Sequence, residues 1–497
     1  MADLDQTRLL RLALRETLPP VDQAGAEPER GPAFTYVPPS HARALDPDNS
    51  VVQGIRGSGK SFWWAHLTSE PHRRFIRGAF PEVRFDPDLR VVQAFGAQPS
   101  SENAPSQAVL ASLIKDYPAR AIWRAVCAAK VEFAAPFPQA DWQARVAWVH
   151  ENPEAFDTLL TQADRELESK NQTLVVLFDA LDRLADDWPS IRPLARGLLQ
   201  TALDLRATRR IRFKVFVRPD MLQDRDIIGF PDASKLWARE AKLAWRRADL
   251  YALLFQCLGN SRQGGESFRS LSRVTANLHW RRENVSGGDA WSIPATLRTD
   301  EGLQEQLFIA LAGKAMASAM ASGPSGYKRG KPYTWLVNHL QDGLDQVSPR
   351  SFFAALREAA DRTAEDSPLA LDYRAIQAGV QAASQIRVNE ITREDYPWVD
   401  LAMQPLRGKL TVPCTMTDIE NIWSQAGTLE SLREELKRAT HVVKLPPQSL
   451  NEGAEGVLKD LAALGLINRL SDQRVQMPDV YRIAFGLGRR GGVKPLK

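Results

Sequence analysis

Cysteine is scarce in this sequence, and the few cysteines lie far apart. Among 497 residues only Cys127, Cys257 and Cys414 are cysteines, with no CxxC pair and no histidine cluster beside them. Zinc sites and disulfide frameworks need cysteines, or cysteines and histidines, at short and regular spacings. The sequence therefore argues against both and fits a reducing compartment.

Long apolar runs are also missing. The longest, near residues 307–320, is interrupted by Lys314, and the acidic start Met1-Ala2-Asp3-Leu4-Asp5 lacks the apolar segment of a signal peptide. A membrane-spanning helix needs about 20 consecutive apolar residues. We therefore expect a cytoplasmic protein that has no membrane partner.

Neither sign of charge dominates the chain. There are 64 Lys and Arg residues against 60 Asp and Glu residues, a net charge of +4. Bulk charge therefore does not indicate nucleic-acid binding, and any basic surface has to be local. With 44% hydrophobic and 25% charged residues, the composition is that of a globular protein, and its length predicts roughly three folded units.

The order of apolar patterns predicts four parts and an α/β fold. Residues 46–245 alternate strand and helix, which is typical of a parallel sheet covered on both faces, with an all-helical insertion at residues 105–170. Residues 1–45 are predicted to be a proline-rich arm and linker. Residues 246–400 are predicted to be a helical lid. Residues 401–497 follow the order of a winged-helix domain, with a turn at Ser471-Asp472.

A complete phosphate-binding loop follows the first predicted strand of the core. Its glycines let successive backbone N–H groups point into one concavity, and the N-terminus of the next helix adds its dipole. In such a loop the lysine reaches the β- and γ-phosphates of ATP, and the following serine hydroxyl is the usual Mg²⁺ ligand. A chance Gly-rich turn is the alternative. The motif consists of Gly54, Ile55, Arg56, Gly57, Ser58, Gly59, Lys60 and Ser61.

Two aspartates follow the apolar run Leu174–Phe178. Asp179 comes directly after it, so we expect its carboxylate at the edge of the sheet beside the phosphate-binding loop, as a second Mg²⁺ ligand. Asp182 is the candidate catalytic residue, together with Lys60, because a carboxylate within one hydrogen bond of water can polarise that water for attack. A helix N-cap, or a salt bridge to Arg183, is the alternative for Asp182.

Two arginines are candidate nucleotide ligands. Arg218 follows the strand that ends at Val217, where a cation can sense the γ-phosphate; pairing with Asp220 or Asp224 is the alternative. Arg350 begins a predicted helix of the lid, from which an arginine can reach a nucleotide held between two domains. Arg56 occupies a variable position of the loop and receives no role beyond membership of it.

The C-terminal segment carries a small local excess of basic residues. Arg489 and Arg490 lie near its end, and a winged helix with such a tail can contact DNA phosphates. Docking against other domains of the protein is the alternative. The sequence leaves this choice open.

The loop Gly54–Ser61, taken together with Asp179-Ala180-Leu181-Asp182-Arg183, resembles the KAP and STAND branches of P-loop ATPases, which are related to the AAA+ class and include many bacterial proteins. Two shorter matches are residues 245–250 and residues 342–350. The resemblance implies a five-stranded parallel sheet with a helical lid and a C-terminal winged helix. It also implies a nucleotide-gated switch, which several bacterial members use in defence against phage. Many hydrolytic relatives carry Glu after the magnesium aspartate, whereas this chain has Ala180.

These features lead to three functional hypotheses. The first is a molecular switch that binds ATP and Mg²⁺, hydrolyses ATP slowly and acts through protein partners or as a homo-oligomer. The second is a DNA-binding ATPase that uses its winged helix, such as a regulator or loader. The third is a scaffold that binds ATP without hydrolysing it.

Overall fold

The computed structural model describes residues 4–19, 31–84, 89–97, 100–285, 288–317, 329–438, 445–490 and 493–495. The chain divides into two compact units. Residues 37–244 form one of them, which we call the core unit. Residues 1–36 and 245–497 form the other, which we call the helical unit.

The core unit is built on a parallel sheet of five strands in the order β2-β3-β4-β1-β5. All four neighbouring pairs are parallel. This arrangement confirms the predicted α/β fold. The strands are β1 (Val51–Gln53), β2 (Leu89–Gln93), β3 (Thr173–Phe178), β4 (Ile211–Val217) and β5 (Ala241–Lys242).

The order of the strands decides what meets at one edge of the sheet. β4 lies between β1 and β3, with Val52 opposite Phe216 and Leu177 opposite Lys214. Because the strands are parallel, their carboxyl ends lie at the same edge. The loops after β1, β3 and β4 are therefore neighbours.

Helices cover the sheet and form the insertion. The strand β3 is buried from Leu174 to Phe178, as expected for a central strand with helices on both faces. The predicted all-helical insertion is present as α5 to α8. The helices are α2 (Pro39–Leu45), α3 (Lys60–His66), α4 (Glu70–Ala79), α5 (Gln107–Asp116), α6 (Ala119–Val131), α7 (Trp142–Glu151), α8 (Pro153–Ser169), α9 (Trp188–Asp204), α10 (Arg225–Ile228) and α11 (Ser234–Trp237), with α1 (Leu4–Thr17) in the helical unit.

The strands found among the described residues of the helical unit are short. Its antiparallel hairpin consists of β6 (Arg281–Val285) and β7 (Gly288–Ser292). A π-helix, Glu390–Asp395, directly follows one of the long helices. Its helices up to that point are α12 (Arg247–Gly259), α13 (Gly265–Ala276), α14 (Glu301–Ala312), Pro332–Leu340, Pro349–Arg362 and Tyr373–Asn389.

Helix α1 packs inside the helical unit. Arg11 is 1% exposed and donates hydrogen bonds to the carbonyl oxygens of Leu369 (2.8 Å) and Ala370 (3.3 Å). Residues 4–17, predicted as part of the arm, are thus held by contacts distant in sequence. Residues 20–30 of that arm lie outside the described residues.

The last part of the chain has the predicted winged-helix order. Helices Pro397–Met403, Met416–Ala426, Thr428–Arg438 and Ala454–Ala463 precede the hairpin of β9 (Asn468–Arg469) and β10 (Val475–Gln476). An isolated antiparallel β-bridge joins Cys414, just before helix Met416–Ala426, to Val475 of β10. Helix Asp479–Arg482 follows, and β11 (Gly488–Arg489) pairs in parallel with β8 (Thr411–Val412).

Two kinds of feature are absent from the part of the chain that the structure describes. None of its helices combines the length and the apolar character that crossing a bilayer requires. This part also contains no group of three or more His, Cys, Asp or Glu side chains placed to hold a metal ion.

Candidate nucleotide site

The loop Gly54–Ser61 connects β1 to α3 through two left-handed residues. Gly57 has a φ of 76° and Gly59 a φ of 102°, backbone angles that residues other than glycine rarely adopt. Gly54 is required for a different reason, because a methyl group there would lie 2.2 Å from the Ser58 hydroxyl oxygen. The glycines therefore form a tight turn at the end of β1.

Lys60 folds back over this loop. Its ammonium nitrogen donates hydrogen bonds to the carbonyl oxygens of Gly54 (2.8 Å) and Ile55 (2.9 Å). Burial lowers its pKa from 10.5 to about 8, against the opposing attraction of Asp179. Burial thus makes the charged form of Lys60 less favourable. A phosphate bound beside it would stabilise that charge, because the phosphate is negative whereas the carbonyl groups of the loop are neutral.

Ser61 and Asp179 meet where the ends of β1 and β3 converge. The Ser61 hydroxyl donates a hydrogen bond of 2.6 Å to the Asp179 carboxylate. Ser61 is exposed, whereas Asp179 is 1% exposed. Burial raises the pKa of the Asp179 carboxyl, and the charge of Lys60 and the Ser61 hydroxyl oppose that shift.

This oxygen pair fits Mg²⁺. A hydroxyl and a carboxylate are hard oxygen donors, and Mg²⁺ usually takes one or two protein oxygens, the remainder coming from water and phosphate. The two donors come from different elements and already lie within hydrogen-bond distance of each other. Ser61 and Asp179 are thus the residues that would hold the ion, and their role as its ligands stays a prediction.

Asp182 has a cationic partner that the sequence did not indicate. It lies in a short 3-10 helix, Leu181–Arg183, after Ala180, whose φ is 55°. Its carboxylate lies 3.5 Å from Arg218, while Arg183 donates to the carbonyl oxygen of Ala97 (3.4 Å). The ion pair of Asp182 is therefore with Arg218 at the end of β4, and the alternative pairing with Arg183 is not formed.

Arg218 connects the two loops beside the phosphate-binding loop. Its guanidinium contacts Asp220 through two nitrogens, at 2.9 Å and 3.2 Å, in addition to Asp182. The predicted pairing with Asp220 is thus present. The other candidate partner, Asp224, instead accepts hydrogen bonds from Trp188 (2.6 Å) and Arg192 (2.8 Å). Arg218 therefore lies between two carboxylates at the edge of the sheet.

Two other predicted cations have partners within the helical unit. Arg350 lies 2.9 Å from Glu390, the first residue of the π-helix. Arg489 lies 3.1 Å from the buried carboxylate of Asp479, which also pairs with Arg482, and Arg489 and Arg490 are both exposed. Arg489 thus shares one carboxylate with a second arginine, and the DNA contact predicted for Arg489 and Arg490 stays a prediction.

Two buried residues that support the loop were missed. Lys214 in β4 is 1% exposed and donates to the carbonyl oxygens of Ala44, Asp46 and Asn49. His41 in α2 is fully buried and accepts a hydrogen bond from Trp63 of α3 (3.2 Å). A lysine inside an apolar strand was a signal available in the sequence, but its partners were not.

Acid is expected to destabilise the protein through His41. Burial lowers its pKa from 6.5 to about 3, so the folded state resists a proton that the unfolded state takes up. The stability that the lowered pKa of His41 contributes to the folded state is fully present above pH 6.5 and is lost as the pH falls toward 3. Between pH 7.5 and pH 5, urea denaturation should show wild type losing about 2 kcal/mol more stability than the His41→Asn variant, which keeps an acceptor.

The exposed His150 provides the matched control. His150→Asn should show the same pH dependence as wild type, because it leaves the buried imidazole of His41 in place. Equal slopes for wild type and His41→Asn would contradict the prediction.

No protein-family model and no curated protein matches the chain. Among solved structures, the chain is similar to the ORC2 protein of Aeropyrum pernix, described as ADPNP–ADP complexes. Identity is 15% and the TM-score 0.37, with 90% of this chain and 93% of that chain covered. A similarity this low transfers no function. The assignment of the site thus depends on the geometry of the loop itself.

Proposed function

We propose that the core unit binds ATP with Mg²⁺ in the loop Gly54–Ser61 and that the protein is an ATP-dependent molecular switch. The observation that carries the proposal is the meeting of Lys60, Ser61 and Asp179 at the ends of β1 and β3. A cation aimed into a glycine-rich turn and a hydroxyl–carboxylate pair are the groups that a Mg²⁺–triphosphate needs.

Within the P-loop ATPases, we further propose the KAP/STAND branch. The support is the sequence Asp179-Ala180-Leu181-Asp182-Arg183 together with the five-stranded sheet and the winged-helix order. A role in bacterial anti-phage defence has the family resemblance as its single support. In such a system, the genes encoded beside this one would indicate the trigger and the effector.

Loss of Asp179 is expected to remove the dependence of ATP binding on Mg²⁺. In the wild type, chelating Mg²⁺ should weaken ATP binding, because the ion bridges phosphate oxygens and protein oxygens. In Asp179→Ala, affinity in Mg²⁺ should fall by roughly 10-fold or more, about 1.4 kcal/mol, toward the metal-free value. Isothermal titration with and without a chelator measures both quantities.

The exposed Asp186 lies seven residues after Asp179 and provides a matched carboxylate. Asp186→Ala should bind Mg²⁺–ATP like wild type. Undiminished binding and turnover in Asp179→Ala would overturn the assignment of the magnesium ligand. Absence of ATP binding in the wild type would overturn the proposed function as a whole.

Asp182 is expected to act in turnover and not in binding. Asp182→Asn removes the carboxylate that would polarise water, so ATP turnover should fall roughly 100-fold, at the lower end for general-base catalysis. ATP affinity should remain within about 2-fold, since Asp182 contacts Arg218 and no ligand of the magnesium ion. Steady-state phosphate release and equilibrium titration distinguish the two quantities.

Asp186→Asn is the control for this substitution. Equal turnover in Asp182→Asn and wild type would remove Asp182 from the catalytic role. If the wild type binds ATP but does not hydrolyse it, even after a protein partner or DNA is added, the scaffold hypothesis is favoured.

A further inference from the structure

The core unit contains a polar cavity beside its edge strand β2. Its volume is about 320 Å³, at the small end of ligand-binding pockets. The walls come from four parts of the chain: the residues after α3, the strand β2, the loop before α5 and the C-terminal end of α6. Polar lining residues are Thr68, Arg90, Gln93, Asn103, Lys130 and Glu132.

Two cations from different elements, Arg90 of β2 and Lys130 of α6, line this cavity. Burial lowers the pKa of Lys130 from 10.5 to about 8, and the charges of Arg145 and Arg90 lower it further, against the charge of Glu102. The ammonium donates to the Asn103 side chain (2.8 Å) and to the Glu102 carbonyl (3.4 Å). The cavity therefore holds positive charges that repel each other, which a bound anion would relieve.

Glu132 reduces this positive charge only in part. Its carboxylate pairs with Arg90, but its side chain is 70% exposed and that of Arg90 is 34% exposed. An ion pair so open to water is screened by solvent and contributes little. Arg90 thus keeps most of its attraction for an oxyanion placed deeper in the cavity, beside Lys130.

The cavity wall is fixed to the helix that follows the phosphate-binding loop. The Gln93 side chain donates to the carbonyl oxygen of Trp64 (3.2 Å), and the Thr68 hydroxyl donates to that of Ala65 (2.9 Å). Both acceptors lie in α3, which begins at Lys60. Gly96 packs so close to the Trp64 ring that an added methyl group would lie 2.2 Å from it.

We propose that this cavity binds a small organic anion, whose phosphate or carboxylate group lies between Arg90 and Lys130 and whose hydrogen-bonding groups face Gln93 and Asn103. Its volume suits a compact anion such as a phosphate monoester of a small polyol. Through Gln93, Thr68 and α3, occupancy changes the affinity of the loop for nucleotide. This second step depends on the proposed function, whereas the binding step does not.

Pyridoxal 5′-phosphate is a probe that tests the binding step in the full-length protein. The amine nitrogen of a lysine attacks the aldehyde carbon, water leaves as the imine forms, and borohydride reduces the imine to a stable secondary amine. Mass spectrometry then measures labelling at each lysine separately. Near pH 8 Lys130 should react roughly 10-fold faster than the exposed Lys115, because burial lowers the pKa of Lys130 to about 8 and the phosphate of the probe binds beside it.

Protection by unlabelled anions identifies the ligand chemistry. Inorganic phosphate represents phosphate-bearing ligands and malonate represents carboxylate-bearing ligands. Protection of Lys130 by either supports the site, and the more effective one names the class. Arg90→Gln should weaken that protection roughly 10-fold, whereas Arg77→Gln, an exposed arginine of α4, should leave it unchanged. Labelling of Lys130 no faster than Lys115, or no protection, would overturn the site.

The coupling step has its own measurement. The dissociation constant for ATP is determined with and without the protecting anion, in wild type and in Arg90→Gln. A change in the dissociation constant that is seen in wild type and not in Arg90→Gln supports the coupling. Anions that compete with ATP directly in the loop Gly54–Ser61 would change the constant equally in both proteins. An unchanged constant in wild type contradicts the coupling. If ATP does not bind at all, the proposed function fails, while labelling at Lys130 still tests the cavity.

Discussion

Lys60→Ala is expected to weaken ATP binding roughly 100-fold, about 3 kcal/mol, which is the value of charge-assisted hydrogen bonds to a phosphate. In the free protein the Lys60 ammonium is held by two carbonyl oxygens of the loop. On binding, phosphate oxygens would provide the opposite charge. Equilibrium titration with ATP in the presence of Mg²⁺ measures the loss.

The fold should tolerate this change. Burial lowers the pKa of Lys60 to about 8, so its charge costs free energy in the absence of a ligand. Lys60 and Ile55 are only half-buried, so water can replace the ammonium at the carbonyl oxygens of the loop, unlike at the buried Lys214. We therefore expect the free energy of unfolding without nucleotide to change by less than about 1 kcal/mol. ATP should raise the melting temperature of wild type and leave that of Lys60→Ala nearly unchanged.

Lys170, an exposed lysine of the core unit, provides the matched control. Lys170→Ala should bind ATP like wild type. Wild-type affinity in Lys60→Ala would contradict the assignment of the loop. Loss of binding together with loss of folding would instead indicate that the lysine is structural, which the unfolding measurement detects.

Lys214→Met is expected to lower the free energy of unfolding by about 3 kcal/mol. The substitution keeps the length of the side chain but leaves three carbonyl oxygens without their donor, and each such loss costs about 1 kcal/mol or more. The acceptors are Ala44 (2.8 Å), Asp46 (2.8 Å) and Asn49 (2.7 Å). They belong to the segment that leads directly into β1.

Urea denaturation of Lys214→Met and of Lys242→Met compares the same substitution at two strands of one sheet. Lys242 lies on the edge strand β5 and is exposed, so its replacement should change stability by less than about 0.5 kcal/mol. Equal stability of the two variants would show that the three carbonyl contacts of Lys214 contribute nothing. Because residues 44–49 position β1, we also expect weaker ATP binding in Lys214→Met.

The local features of the core unit could be predicted because each depends on residues adjacent in the sequence. The runs Leu174–Phe178 and Phe213–Val217 are β-strands in the structure, within β3 and β4. A five-residue apolar run suits a strand that is covered on both faces. Likewise Gly57 and Gly59 have the positive φ values that only a glycine-rich turn accommodates readily.

The ion pairs could not be predicted in the same way. Arg183 is the cation nearest to Asp182 in sequence, yet the partner is Arg218, because β3 and β4 are neighbours in the sheet. Arg350 and Glu390 are 40 residues apart and meet within the helical unit. Such pairs depend on which elements pack together, and composition and spacing contain no information about that choice.

The sequence by itself determined the tight turn of the loop Gly54–Ser61, the acidic residue that follows β3 and the alternation of strands and helices around them. The tertiary structure decided that β4 lies between β1 and β3, which brings Ser61 within 2.6 Å of Asp179 and places Arg218 against Asp182. It also decided that Lys214 supports the entry to β1 and that Arg90 and Lys130 share one cavity. The physical reason is range: backbone sterics and apolar periodicity act within a few residues, whereas charge pairing and desolvation act between side chains that only the packed sheet brings together.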